Sequence, residues 1–155
     1  MSENKSEINR RELREKVMQA LYAHELSEAT ITHLHQTVLS DVTESSKGFD
    51  YASKMLNSVI GNPDEILGLI KKHTSNWETD RIAIIDYVLL KMGTAEFLYF
   101  PDIPPKVTMN EMIEIAKENS TEKSGQFVNG ILDAILLDLK NSKRFEKEGR
   151  GLVNK

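Results

Sequence analysis

The sequence predicts an all-α protein. Apolar residues recur every three to four positions through most of the 155-residue chain, and no segment shows the strict alternation of a half-buried strand. Helix-capping signals divide the periodic runs at short intervals. These observations predict about seven helices with short connections, which favour antiparallel neighbours.

The first helix starts at Asn9, where Asn9 and Glu12 have the spacing of a capping box. It places Leu13, Val17, Ala20, Leu21 and His24 on one face, and Arg11, Arg14, Met18 and Tyr22 roughly opposite. A second helix covers about 28–44, with Ile31, Leu34, Val38 and Val42 as its stripe, and residues 45–48 break it. The third runs from about Phe49 to Ile60 and stops at Gly61. Asn62-Pro63-Asp64-Glu65 then restarts the chain, with a cap residue, proline at the first helical position and acids in the first turn. This fourth helix ends near His73, and the polar stretch from His73 to Asp80 divides an N-terminal half from a C-terminal half.

A long apolar helix follows, from about Asp80 to Tyr99. Ile82, Ile85, Leu89 and Met92 share a face that Val88, Leu90, Ala95 and Leu98 widen, the pattern of a buried central helix. Pro101, Pro104 and Pro105 stop it. Thr108 and Glu111 have capping-box spacing and open the sixth helix, whose apolar face is Met109, Met112, Ile113 and Ala116. The last helix covers about 122–140, with Val128, Ile131, Leu132, Ile135, Leu136 and Leu139 on a broad apolar face. Inside it lies Asn129-Gly130, elsewhere a hairpin signal. A glycine there costs ~1 kcal/mol relative to alanine, which a helix tolerates where another backbone passes close by.

Composition narrows the function. Without cysteine, disulfides and thiolate metal sites are excluded. No apolar run approaches the ~18 residues of a membrane span, and the N-terminal stretch lacks the apolar region of a signal peptide. The chain therefore reads as cytoplasmic, with no membrane partner. The net charge of −4 is unevenly spread: residues 1–16 carry +1, residues 140–155 carry +4, and the acidic body between them carries −9. Such a chain is no bulk nucleic-acid binder, but a local basic patch can still take phosphate. The basic tail, low in apolar residues, reads as solvated.

Catalytic and metal chemistry find little support. His24, His33, His35 and His73 form no Glu-x-x-His pair, and there is no glycine-rich phosphate loop or nucleophile elbow. No enzyme activity, metal or cofactor is expected. Two regions suit RNA instead. Arg10, Arg11 and Arg14 crowd the start of the first helix, where basic residues oppose the macrodipole. Phe127, with Lys123 and Gln126 beside it, makes a stacking platform for an unpaired base. A solvated basic face and a packed phenylalanine are the structural alternatives.

Three stretches resemble the NusB family of transcription antitermination proteins: "RRELREKVMQALYAHELS" (10–27), "IPPKVTMNEMIEIAKENS" (103–120) and "KSGQFVNGILD" (123–133). The likeness covers about 10–139. It implies one NusB-like domain over 1–155, built as two antiparallel helical sub-bundles at about 9–74 and 78–140 with a basic tail at 141–155. It further implies a protein that pairs with NusE, the tenth protein of the small ribosomal subunit. The pair would bind single-stranded boxA RNA of nascent transcripts and keep RNA polymerase transcribing through ribosomal RNA operons. Arg10, Arg11 and Arg14 match the family's arginine-rich motif, which Glu12 interrupts. Phe127 matches its RNA-contacting aromatic, with Lys123 where relatives often carry an acidic or polar residue. Tyr22 and Asp86 match positions presented to NusE. An accessory domain of an RNA methyltransferase and a helical module that binds only protein are the competing readings.

Overall fold

The structure is a computed structural model that describes residues 9–27, 30, 32–33, 36, 47–74, 82–143, 147 and 151. Among these residues there are six helices and no strand, one helix fewer than the sequence predicts. The predicted second helix accounts for the difference. Thr32, His33 and Gln36 are helical, and the Thr30 hydroxyl accepts from the His33 backbone N at 3.1 Å, but the rest of 28–44 lies outside the described residues. The chain divides into two compact units, residues 1–60 and 61–155.

In the first unit, α1 (Arg10–Ser27) opens with the predicted reciprocal cap. The Glu12 N–H donates to Asn9 Oδ1 at 2.9 Å, and the Asn9 N–H donates to Glu12 Oε1 at 3.1 Å. Leu13, Val17, Ala20 and Leu21 are buried as predicted, while His24 is only half-buried. Arg14 and Met18 are buried too, which corrects the sequence reading that set them opposite the core. α2 (Lys47–Gly61) starts two residues before the predicted Phe49 and buries Tyr51, Ala52, Met55, Leu56 and Val59, a helical stripe.

The second unit holds α3 (Pro63–His73), α4 (Ile84–Tyr99), α5 (Pro105–Asn119) and α6 (Glu122–Asn141). α4 and α6 each pack against all the other helices of this unit. Their apolar residues, Val88, Leu89, Leu90 and Met92 against Val128, Leu132, Ile135 and Leu139, form its fully buried centre. Gly93 brings the two helices together: a Cβ there would stand 2.8 Å from Leu132 Cδ1. At the α5–α6 contact, a Cβ on Gly125 would meet Lys117 Cγ at 2.6 Å. Gly130, which the sequence marked as the close approach, is exposed with open space around it.

α3 belongs with this unit, which begins at Gly61. Asp138 of α6 receives Lys72 Nζ at 2.9 Å and His73 Nε2 at 2.8 Å, and the Tyr99 hydroxyl of α4 donates to Glu65. Pro63 occupies the first helical position as predicted, but the Asn62 side chain does not cap. α4 begins at Ile84, later than predicted, with Ile82 and Ala83 non-helical. α5 begins at Pro105, ahead of the predicted capping box. Proline is favoured in the first turn because its missing N–H would be unbonded there anyway. Thr108 therefore lies inside the helix, and its hydroxyl donates to Glu96 Oε1 of α4 at 2.7 Å.

The solvated-tail expectation is corrected at two residues. Lys147 is 7% exposed, and Gly151 is buried against the turn at Pro101. No helix among the described residues is long and apolar enough to cross a membrane.

Candidate nucleic-acid interface

The residues singled out in the sequence fall into two groups, one in each unit. In the second unit the group is built around the start of α6. Thr121 caps that helix, its hydroxyl accepting from the Ser124 N–H at 3.0 Å. The cap turns the Ser124 side chain inward, where its hydroxyl donates to Asp86 Oδ2 at 3.1 Å and lies 2.9 Å from Ser120 Oγ. Asp86 stands in the first turn of α4, so its carboxylate lies near the positive ends of two helices.

These residues floor a groove of about 290 Å³ lined by Ile82, Ala83, Asp86, Thr121, Lys123, Ser124 and Phe127. Lys123 is exposed and Phe127 half-exposed. Asp86, Lys123 and Phe127 thus share one site, although the family likeness gives Asp86 a different role from the other two. Gln126 is exposed on the same helix but does not line the groove. The volume is near the lower end of ligand pockets, ~300–1,000 Å³, so the groove admits one small planar group rather than a large ligand. Apolar walls, an aromatic face and a cation at the rim suit a base with its phosphate.

Asp86 is 6% exposed, and burial pushes its carboxyl above the usual range, while the Ser124 hydrogen bond pulls it back. Its Oδ1 is buried without a hydrogen-bond partner. An unmade bond of that kind costs ~1–3 kcal/mol, so this enclosed oxygen is a local cost of placing the carboxyl here.

In the first unit, Arg10 and Arg14 stand one turn apart on α1 and both face Tyr51 of α2. The Arg10 guanidinium lies 4.3 Å from the ring centroid, and that of Arg14 lies 5.4 Å away. Arg10 is exposed, Arg11 half-buried, and Arg14 only 2% exposed. A cation over an aromatic face gains ~0.5–2 kcal/mol, which offsets part of the desolvation of Arg14. Tyr22 is 37% exposed, and Leu26 one turn later is 59% exposed, leaving an apolar pair on the surface of α1.

Sequence reasoning missed Tyr51 and Ser124. Tyr51 carries no local signal, because only the packing of α2 on α1 brings it to the arginines. Ser124 had one: Thr121, three residues earlier, is a favoured cap residue ahead of a periodic run.

Comparison with known proteins gives the family. The NusB family model matches residues 11–137, a span that includes these residues except Arg10. The transcription antitermination protein NusB of Chloroherpeton thalassium is 47% identical over 148 residues, 95% of this chain and 70% of that protein. The protein of the same name from Salinibacter ruber is 45% identical over 146 residues, 94% of this chain and 91% of that one. A chain in the crystal structure of antitermination factors NusB and NusE in complex with dsRNA superposes with a TM-score of 0.75 at 26% identity, covering 83% of this chain and 96% of that one. A family match that runs from the first turn of α1 almost to the end of α6, with relatives near half identity over nearly all the chain, leaves one assignment: the chain belongs to the NusB family.

Proposed function

We propose that this chain is a transcription antitermination factor that pairs with the ribosomal protein NusE and binds boxA-type RNA of nascent transcripts. The bound pair then acts on the transcribing RNA polymerase complex and supports transcription of ribosomal RNA operons. It works in the cytoplasm, without catalysis and without a cofactor.

The observation that carries the RNA reading is the groove at the start of α6, lined by the half-exposed Phe127 and the exposed Lys123. An open aromatic face recognises an unpaired base by stacking, and a neighbouring cation takes the phosphate. Gln126, exposed one residue before Phe127, adds a hydrogen-bonding edge. On α1, Arg10 and Arg11 supply phosphate contacts, and Arg14 holds Tyr51 in place beneath Arg10. Tyr22, with Leu26 beside it, gives NusE an apolar contact, and Asp86 holds a position that the family likeness presents to NusE. An acidic body of net charge −9 suits a basic ribosomal protein.

The test is a titration of labelled boxA-type RNA with the full chain, alone and with its cognate NusE, beside a scrambled RNA at two salt concentrations. The reading predicts sequence-dependent binding that NusE tightens and salt weakens. Equal affinity for both RNAs, with NusE present, would overturn it.

A further inference from the structure

The groove has two walls, and a buried hydrogen bond joins them. Ile82, Ala83 and Asp86 come from the start of α4, and Thr121, Lys123, Ser124 and Phe127 from the start of α6. Asp86 is the third residue of α4, and Ser124 is the third residue of α6. The Ser124 hydroxyl donates to Asp86 Oδ2 at 3.1 Å, and the two residues are only 7% and 6% exposed. Away from water, a hydroxyl on a carboxylate makes one of the stronger hydrogen bonds.

The turn that carries Ser124 needs such a hold. The first turn of a helix has backbone N–H groups without intrahelical partners, and helix ends fray. Lys123 stands in that turn, as the second residue of α6. The Thr121 hydroxyl answers one of the N–H groups, that of Ser124. Gly125, the next residue, seats the same turn against α5, since a Cβ there would stand 2.6 Å from Lys117 Cγ. Consecutive residues thus fix the turn to two helices, Ser124 to α4 and Gly125 to α5. Phe127 lies four residues beyond Lys123, about 6 Å along the axis at the helical rise. A nucleotide that stacks on the ring and sets its phosphate on the ammonium needs both side chains at once. A frayed turn would leave Lys123 with freedom that binding must then remove.

We propose that Ser124 is a positioning residue for RNA: by bonding Asp86 it fixes the first turn of α6 to α4, so that Lys123 and Phe127 meet a phosphate and its base together. This role rests on the RNA reading of the groove. Ser124 itself is buried and acts through its two neighbours on the helix rather than by touching the ligand.

The test titrates boxA-type RNA with Ser124→Ala and with the unaltered full chain, at saturating NusE and several salt concentrations, with unfolding midpoints measured alongside. Ser124→Ala should bind about tenfold more weakly, the contribution of one hydrogen bond to a charged group. Its salt slope should be shallower by about 0.7, the share of one phosphate contact on a single strand. Lys123→Ala should show the same slope, and adding Ser124→Ala to it should lower the affinity little further. A folded Ser124→Ala with unchanged affinity and slope would overturn the role and leave Ser124 a packing residue. If that variant does not fold, Ser124→Ala combined with Asp86→Leu removes both partners and leaves no carboxylate unpaired. The double variant carries the same expectation and the same refutation. An unaltered chain that binds neither boxA-type nor scrambled RNA would bring down the RNA reading itself, and this role with it.

Discussion

Arg14 shows how a single residue can hold two roles that a sequence pattern separates. Its charge and its place in an arginine run suggest phosphate, yet its guanidinium is enclosed and faces Tyr51 beside that of Arg10. A buried arginine contributes through packing as well as charge. Arg14→Ala is therefore expected to destabilise the protein by ~1–3 kcal/mol in chemical denaturation, whereas Arg10→Ala should leave the midpoint nearly unchanged. Equal, negligible effects of both would show that Arg14 is not a structural residue. The sequence reading set Arg14 opposite Leu13 and Val17, but at ~100° per residue it lies only ~100° from the first and ~60° from the second, at the edge of the apolar stripe. Its partner Tyr51 comes from another helix, and no spacing within α1 reports that. Phe127 and Lys123 line one groove for the opposite reason: both stand at the start of one helix, so local sequence already placed them together, whereas Gln126 on that helix does not line it.

At the scale of elements, helix existence was easier to read than helix beginnings. The periodic runs that became α1, α3 and α6 start within about one residue of their predicted positions, because Asn9, Pro63 and Thr121 mark them locally. α5 starts earlier than predicted: two signals competed, and a proline-led first turn won over the capping box, freeing Thr108 to bond Glu96. Glycines reversed the expected reading. Gly93 and Gly125 sit where helices touch, while Gly130, flagged by its turn-like pairing with Asn129, faces open space. With nothing within 4 Å to clash, Gly130→Ala should stabilise α6. The expected gain is ~1 kcal/mol, read as a higher melting temperature. A lower melting temperature would mean that Gly130 has a contact in solution that its open surroundings conceal.

Over the whole molecule, charge and helices divide the work. The acidic body carries a net −9 and repels RNA at long range, so binding must come from local features rather than from a general positive field. That is why composition alone argued against a nucleic-acid binder while short motifs argued for one. The family match sides with the motifs, and a stacking platform with one cation would need few residues and leave little trace in a net charge. The basic residues after α6 were the least legible part of the chain. They read as solvated by composition, yet Lys147 is drawn in by two helix carbonyls and Gly151 by a turn, both distant in sequence. The central claim is that the groove around Phe127 contacts RNA. It is tested most directly by comparing Phe127→Ala with the unaltered chain for boxA-type RNA affinity, NusE affinity and unfolding midpoint. Stacking is worth ~1–3 kcal/mol per base. The account predicts an RNA affinity lowered by about ten- to a hundredfold, with NusE binding and the midpoint preserved. A folded variant that binds RNA as tightly as the unaltered chain would contradict it.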